Sequence, residues 1–252
     1  MTSAALPTPD ASEAVSSVGR IFGALFSPKA TFTSIVKRPT WLPPFILICL
    51  MGVSVTWLFG QRVGWRGFME RQIAASASAQ RQFEAMTPDQ REQAIEQRAK
   101  YAPAFGYAIT TVGTLIVFLI VAGIFMAIFN MSGAQMKFGT SFAIVAYAWL
   151  PWVIHGLLGI LTIFLKDPST VDLQNLVASN PGALVSDDSS KVLVSALGAL
   201  DIFSFWTMIL LGIGYSATNP KKISFGKAFG YVFAMWLLFV LIFKVGIPAI
   251  FS

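Results

Sequence analysis

Residues 101–136 read YAPAFGYAITTVGTLIVFLIVAGIFMAIFNMSGAQM, and residues 138–165 read FGTSFAIVAYAWLPWVIHGLLGILTIFL. Only Lys137 separates them, and neither run contains an Asp, Glu, Lys or Arg side chain. A helix needs about 20 largely apolar residues to cross a hydrocarbon core of about 30 Å, so each run is long enough to span a bilayer. Asn130, Ser132 and Gly133 mark a tight turn between the spans, which makes the pair an antiparallel hairpin.

Moving outward, uncharged blocks recur at 39–61, at 192–220 broken by Asp201, and at 228–243 before Lys244. The chain of 252 residues is 55% apolar and 12% charged, against roughly a quarter charged in soluble domains. The expected fold is therefore an all-α integral membrane protein with about five transmembrane helices, near 43–60, 104–129, 140–165, 192–215 and 228–251. The net charge of +6 does not point to nucleic acid, because the Lys and Arg side chains flank apolar blocks, where lipid headgroups lie. With one cysteine, Cys49, and one histidine, His155, the sequence carries neither an internal disulfide nor a Cys/His metal motif. No cofactor is expected.

Residues 1–12 hold little that could be buried and are expected to be disordered. The first twenty residues lack the basic start and apolar run of a secretory signal. Residues 13–40 read as short amphipathic helices, with Val15, Val18, Phe22, Leu25 and Phe26 on one face and Ser27-Pro28 opening a second helix that carries Phe32. Lys29, Lys37 and Arg38 lie beside these apolar groups, and Trp41 sits where indole rings favour the interface. Phe22, Phe26, Lys29, Phe32, Lys37, Arg38 and Trp41 are thus the expected membrane-interface residues. The alternative is that these helices pack on the protein's own spans.

Residues 41–252 then form the membrane domain. Within it, residues 61–102 are an extramembrane helical segment of mixed charge. Thr87-Pro88-Asp89-Gln90 is a capping box that starts a helix to about Lys100. The loop at 166–190 carries Asp167, Asp172, Asp187 and Asp188. Lys221, Lys222 and Lys227 fill the turn before the last span, which argues for a cytoplasmic N-terminus and an external C-terminus. The base-rich first outer segment opposes this orientation.

Three segments carry a resemblance. Leu25-Phe26-Ser27-Pro28-Lys29-Ala30-Thr31-Phe32 with Arg38-Pro39-Thr40-Trp41-Leu42-Pro43 resembles the N-terminal signature of bacterial members of the Ypt/Rab-interacting protein (Yip) domain family. Tyr147-Ala148-Trp149-Leu150-Pro151-Trp152 is similar to the family's third span, and Asp201-Ile202-Phe203-Ser204-Phe205-Trp206 through Gly214 to its fourth. The resemblance implies five spans, a cytosolic N-terminus and, for the bacterial branch, the cytoplasmic membrane. Eukaryotic relatives bind prenylated Rab-type GTPases in vesicle traffic. Bacteria lack that machinery, and this chain has no long acidic or aromatic-rich cytosolic N-terminal domain, so Rab binding is not carried over.

The spans offer no residue set for a familiar intramembrane enzyme. Only Asp201 could supply an intramembrane carboxylate, only His155 an imidazole, and no glycine-rich segment is followed by Lys-Ser/Thr. The expected role is a non-enzymatic scaffold or adaptor whose partners are the lipid bilayer and unidentified membrane proteins. The alternative is a transporter or channel component. Small residues, among them Gly156 with Gly159 and Gly212 with Gly214, fit close helix packing within one chain, and a homo-oligomer is left open. At about 1.5 Å per residue, His155, Asp201 and Lys244 lie about 12–16 Å from their span ends, in the same half of the bilayer. They form the candidate intramembrane polar site, with an Asp201–Lys244 pair and His155 nearby as the expectation.

Overall fold

The computed structural model describes residues 16–74, 76–171, 173, 175–185 and 189–246. The disorder expected of residues 1–12, the place of Val15 on its helix, and Asp172, Asp187 and Asp188 all lie outside the described residues. Every regular element described is helical. Four helices are long and apolar enough to cross a membrane, and a fifth is obtained if one bent pair forms a single span.

Two short helices come first. Helix α1 (Ser17–Phe26) is capped by Ser16, whose hydroxyl accepts from the Gly19 N–H. Helix α2 (Pro28–Lys37) starts on proline, which lacks the donor that a first turn would leave unpaired. Thr31 of α2 fills the space above Gly23 of α1, so the two helices close tightly on each other.

The first span is α3 (Leu42–Arg62). Beyond it lie α4 (Trp65–Ala74) and α5 (Ala77–Glu84), which with the start of α6 (Pro88–Ala108) cover the segment expected to be extramembrane. The capping box is formed in full: the Gln90 N–H donates to Thr87 Oγ1 and the Thr87 N–H to Gln90 Oε1. The helix expected to end near Lys100 does not stop there. It runs on through a π-helical turn (Ile109–Gly113) into α7 (Thr114–Met131), giving 44 continuous residues from Pro88 to Met131. That is about 66 Å, roughly twice the hydrocarbon thickness. Pro103 is tolerated inside it, and Thr110 and Thr111 return their hydroxyls to the Gly106 and Tyr107 carbonyls, 3.0 and 2.7 Å away, where the helix widens.

The third span joins α8 (Phe138–Ala148) to α9 (Pro151–Leu165). Every residue from Ser141 to Ala148 is buried, which makes α8 the axis of the bundle, with α2, α7 and α11 (Ile202–Ser216) around it. The Ser141 hydroxyl donates to the Ala122 carbonyl at 2.7 Å and meets the Tyr215 hydroxyl at 2.8 Å. Phe129 stacks on Tyr215 with ring centroids 4.3 Å apart. The bent pair of α10 (Lys191–Gly198) and α11, at 48° to each other, stands where the fourth span is expected. The last long apolar helix is α12 (Phe225–Phe239) with its π-helical continuation (Val240–Gly246).

The small residues of the spans are filled by the chain itself. A Cβ on Gly156 would meet Met51 of α3, one on Gly159 would meet Leu176, and one on Gly212 would meet Phe229 of α12. At one end of the bundle, Asn130 exchanges hydrogen bonds with both backbone groups of Met136, and Asn219 donates to the Gly133 carbonyl at 2.8 Å. These bonds tie the 132–137 turn to the 217–224 turn beside α1 and α2. The opposite end holds α4, α5 and the long loop after α9.

Candidate functional site

The N-terminal helices divide the interface residues into two groups. On α1, Val18, Phe22 and Phe26 recur every four residues and are 62, 61 and 74% exposed. Lys29, Lys37, Arg38 and Trp41 are also exposed. Phe32 is the correction. It is fully buried, because Gly214 of α11 leaves a recess that its ring and Ile144 fill. Helix α2 therefore belongs to the core, as the packing alternative held, while α1 keeps an unpartnered apolar stripe.

Arg20 fixes the direction of that stripe. It is buried on the inner face of α1, and its guanidinium donates to the Arg38 carbonyl at 2.8 Å, Thr40 Oγ1 at 3.0 Å and Ser34 Oγ at 3.0 Å. The carbonyl belongs to the C-terminal cap of α2, where the helix dipole is negative, so a buried cation is held there without a carboxylate. Thr40 in turn lies 3.4 Å from the Tyr147 hydroxyl of α8. Helical spacing sets Arg20 off the face that carries Val18, Phe22 and Phe26. Its burial depends on the α1–α2 fold, which no local signal carries.

The three ionisable groups of the spans do not form one cluster. Asp201 is buried at the bend between α10 and α11, where one oxygen accepts from the Phe203 N–H at 2.8 Å and the Ser204 N–H at 3.3 Å. Its other oxygen accepts from the Ser179 hydroxyl, and the Ser179 carbonyl accepts from the Ile202 N–H. Asp201 is thus the N-cap of α11, holding a strand of the long loop against the break. His155 lies close by on α9, its ring 5.2 Å from Phe203 and 5.1 Å from Trp152. Lys244 is exposed on the last π-helical turn, and no ion pair joins it to Asp201. The carboxylate oxygens are already committed to backbone and hydroxyl donors. An aspartate preceding an apolar helical run is a legible capping signal.

His155 also lies on the wall of a cavity of about 980 Å³ that sequence reasoning did not anticipate. Its walls are the middle of α3, the α6–π-turn rod and the start of α9, with Leu173 and Leu176 of the loop at one side. Trp65, Phe68 and Met69 of α4 roof it. The lining is largely aliphatic and aromatic, and Gln72, Gln97 and Arg98 stand at the extramembrane end. The roof is pinned by Arg66 of α4, whose guanidinium donates to both oxygens of Glu92 on α6, at 2.7 and 2.8 Å, and to Glu70 at 3.1 Å. The hydrogen bonds from Arg66 hold the Glu92 carboxyl below the usual carboxylate range.

No group of three or more His, Cys, Asp or Glu side chains able to hold a metal occurs among the described residues. No curated protein and no solved structure matches the chain. The Yip1 domain family matches residues 22–246, which takes in the second half of α1, all of α2 and every helix that walls the cavity. Arg20, Val18 and the Ser16 cap of α1 precede that range. The chain is a multi-pass membrane protein that belongs to the Yip1 domain family.

Proposed function

We propose that this protein is a non-enzymatic membrane scaffold or adaptor of the bacterial cytoplasmic membrane, with its N-terminus in the cytoplasm and its C-terminus outside. The observation that carries the reading is the α1 stripe of Val18, Phe22 and Phe26. It is large, apolar and exposed, yet rigidly aimed by the buried Arg20. An exposed apolar face of this kind, with Lys29, Lys37 and Arg38 beside it, suits the headgroup boundary of an anionic membrane or the flank of another membrane protein. The solid core around α8 supports a static presenting role.

The test is affinity capture of the full chain from native membranes, comparing the wild type with a Val18→Ser, Phe22→Ser, Phe26→Ser variant. Partners or a lipid composition lost only in the variant support the scaffold. Identical capture from both would remove its basis. A transporter or channel component is the second reading, favoured by the cavity that reaches His155 inside the bundle. Proteoliposomes whose ion or proton permeability rises above that of empty vesicles, and falls with His155→Ala, would select it instead.

A further inference from the structure

The cavity walled by α3, α6 and α9 differs from a path for a polar solute in what its walls offer. Thr56 and Thr110 both line it, but each hydroxyl is committed to its own helix, donating to the Gly52 carbonyl at 2.8 Å and the Gly106 carbonyl at 3.0 Å. The His155 ring packs against Trp152 and Phe203, at an angle of 54° to the first and edge-on to the second at 85°. The deep wall therefore shows hydrocarbon, with Ile48, Val55, Phe105 and Val153 among its residues. Its volume is at the upper end of the roughly 300–1,000 Å³ of ligand pockets.

The polar groups gather at one end. Among the described residues the Arg98 guanidinium forms neither an ion pair nor a hydrogen bond. It lies 5.0 Å over the Phe83 ring, which leaves its N–H edges free. Gln72 and Gln97 line the same cavity and carry further donors. From Arg98 down the same rod to Thr114 is about 24 Å, longer than the roughly 15 Å of one hydrocarbon leaflet. The slot thus runs from extramembrane donors into the apolar interior along the direction that lipids take.

We propose that this cavity is a phosphoglyceride site, in which an acyl chain lies between α3, α6 and α9 and the headgroup phosphate pairs with Arg98. The phosphate suits a free guanidinium fork, and the helices around the slot give the acyl chain closer packing contacts than a lipid on the outer surface has. The site is independent of the scaffold reading, since it shares no residue with the α1 stripe.

The experiment is native mass spectrometry of the full-length protein, washed in mild detergent and then offered one of three probes. These are dioleoylphosphatidylglycerol, dioleoylglycerol with the same chains and no phosphate, and glycerol phosphate with no chains. The expected result is one retained phosphatidylglycerol, binding about tenfold weaker for Arg98→Gln and for dioleoylglycerol, and no adduct of glycerol phosphate. Val55→Trp and Ala102→Phe, which fill the slot, should abolish retention. If they do not fold, Arg98→Gln at its exposed position and the dioleoylglycerol arm still decide. Annular lipid only, seen as a broad distribution of adducts unchanged by Arg98→Gln, would overturn the proposal. So would glycerol phosphate binding as tightly as the lipid.

Discussion

At the scale of single residues, Asp201 holds a carboxylate inside an apolar segment through neutral donors in place of a counter-charge. Asp201 was legible as an intramembrane carboxylate, and depth reasoning placed it in the same half of the bilayer as His155 and Lys244. The expected partner was a charge. The observed partners are two backbone N–H groups and Ser179, because an aspartate at a helix start can satisfy donors that lipid cannot. The structure therefore predicts that Asp201→Ala costs about 1–3 kcal/mol, from a lost cap and a stranded hydroxyl. Asp201→Asn, which keeps a capping oxygen, should cost less. Reversible unfolding in mixed micelles measures both. Combined with Lys244→Met, Asp201→Asn should be additive within about 0.5 kcal/mol, as for groups without a shared partner. A coupling well above that would restore the ion pair. Phe32 was misplaced for a different reason: helical spacing marks an apolar face but not what covers it, and the recess at Gly214 lies almost two hundred residues away in sequence.

Among the elements, the long apolar runs are legible in the sequence and the junctions between them are not. The spans, the hairpin turn and the capping box at Thr87 follow from local composition. The fusion of the extramembrane helix with the second span did not, because Pro103 and a mixed-charge stretch ordinarily argue for an end. With Cys49→Ser as background, spin labels at Gln93 and Ile124 should be about 46 Å apart along one rod, measured by electron–electron resonance. A break after Lys100 would give a clearly shorter distance. The cavity was illegible because it is made by α3, α4, α6 and α9 together, and only its separate walls appear in the sequence. Its roof has a pH dependence of definite sign. Glu92 binds its proton less tightly when folded beside Arg66 than in an unfolded chain, where a glutamate titrates near about 4.3. The contribution is present above that value and fades as pH falls through the lower folded value. The protection factors of α4 amides, taken against the intrinsic exchange rate at each pH, should accordingly fall below about pH 4 and in high salt, where exposed pairs are screened. Glu92→Gln should show the lowered protection already at pH 7. Equal rates in the wild type and this variant at pH 7 would mean that the pair does not hold the roof.

For the whole molecule, the number of crossings decides which sides the ends occupy. Five crossings put the termini on opposite faces, and the bend at Ala199–Asp201 is where that count is at stake, since a fourth segment that turned back would return the chain to its starting side. Reporters fused after Lys222 are expected to behave as cytoplasmic and reporters at the C-terminus as external. A reporter after Lys222 that is external together with a cytoplasmic C-terminal reporter would show that the fourth segment turns back at its bend instead of crossing. The 44-residue rod adds a mechanical consequence. One end is clasped by the turn at Asn130, and the other carries the salt-bridged roof far above the bilayer plane. Membrane helices respond to changes in bilayer thickness by tilting, and a rod of about 66 Å tilted through about 5° moves its far tip by about 6 Å. The protein thus possesses a lever arm, by which a small strain in the lipid around α7 is magnified into a displacement of α4 and α5 in the water.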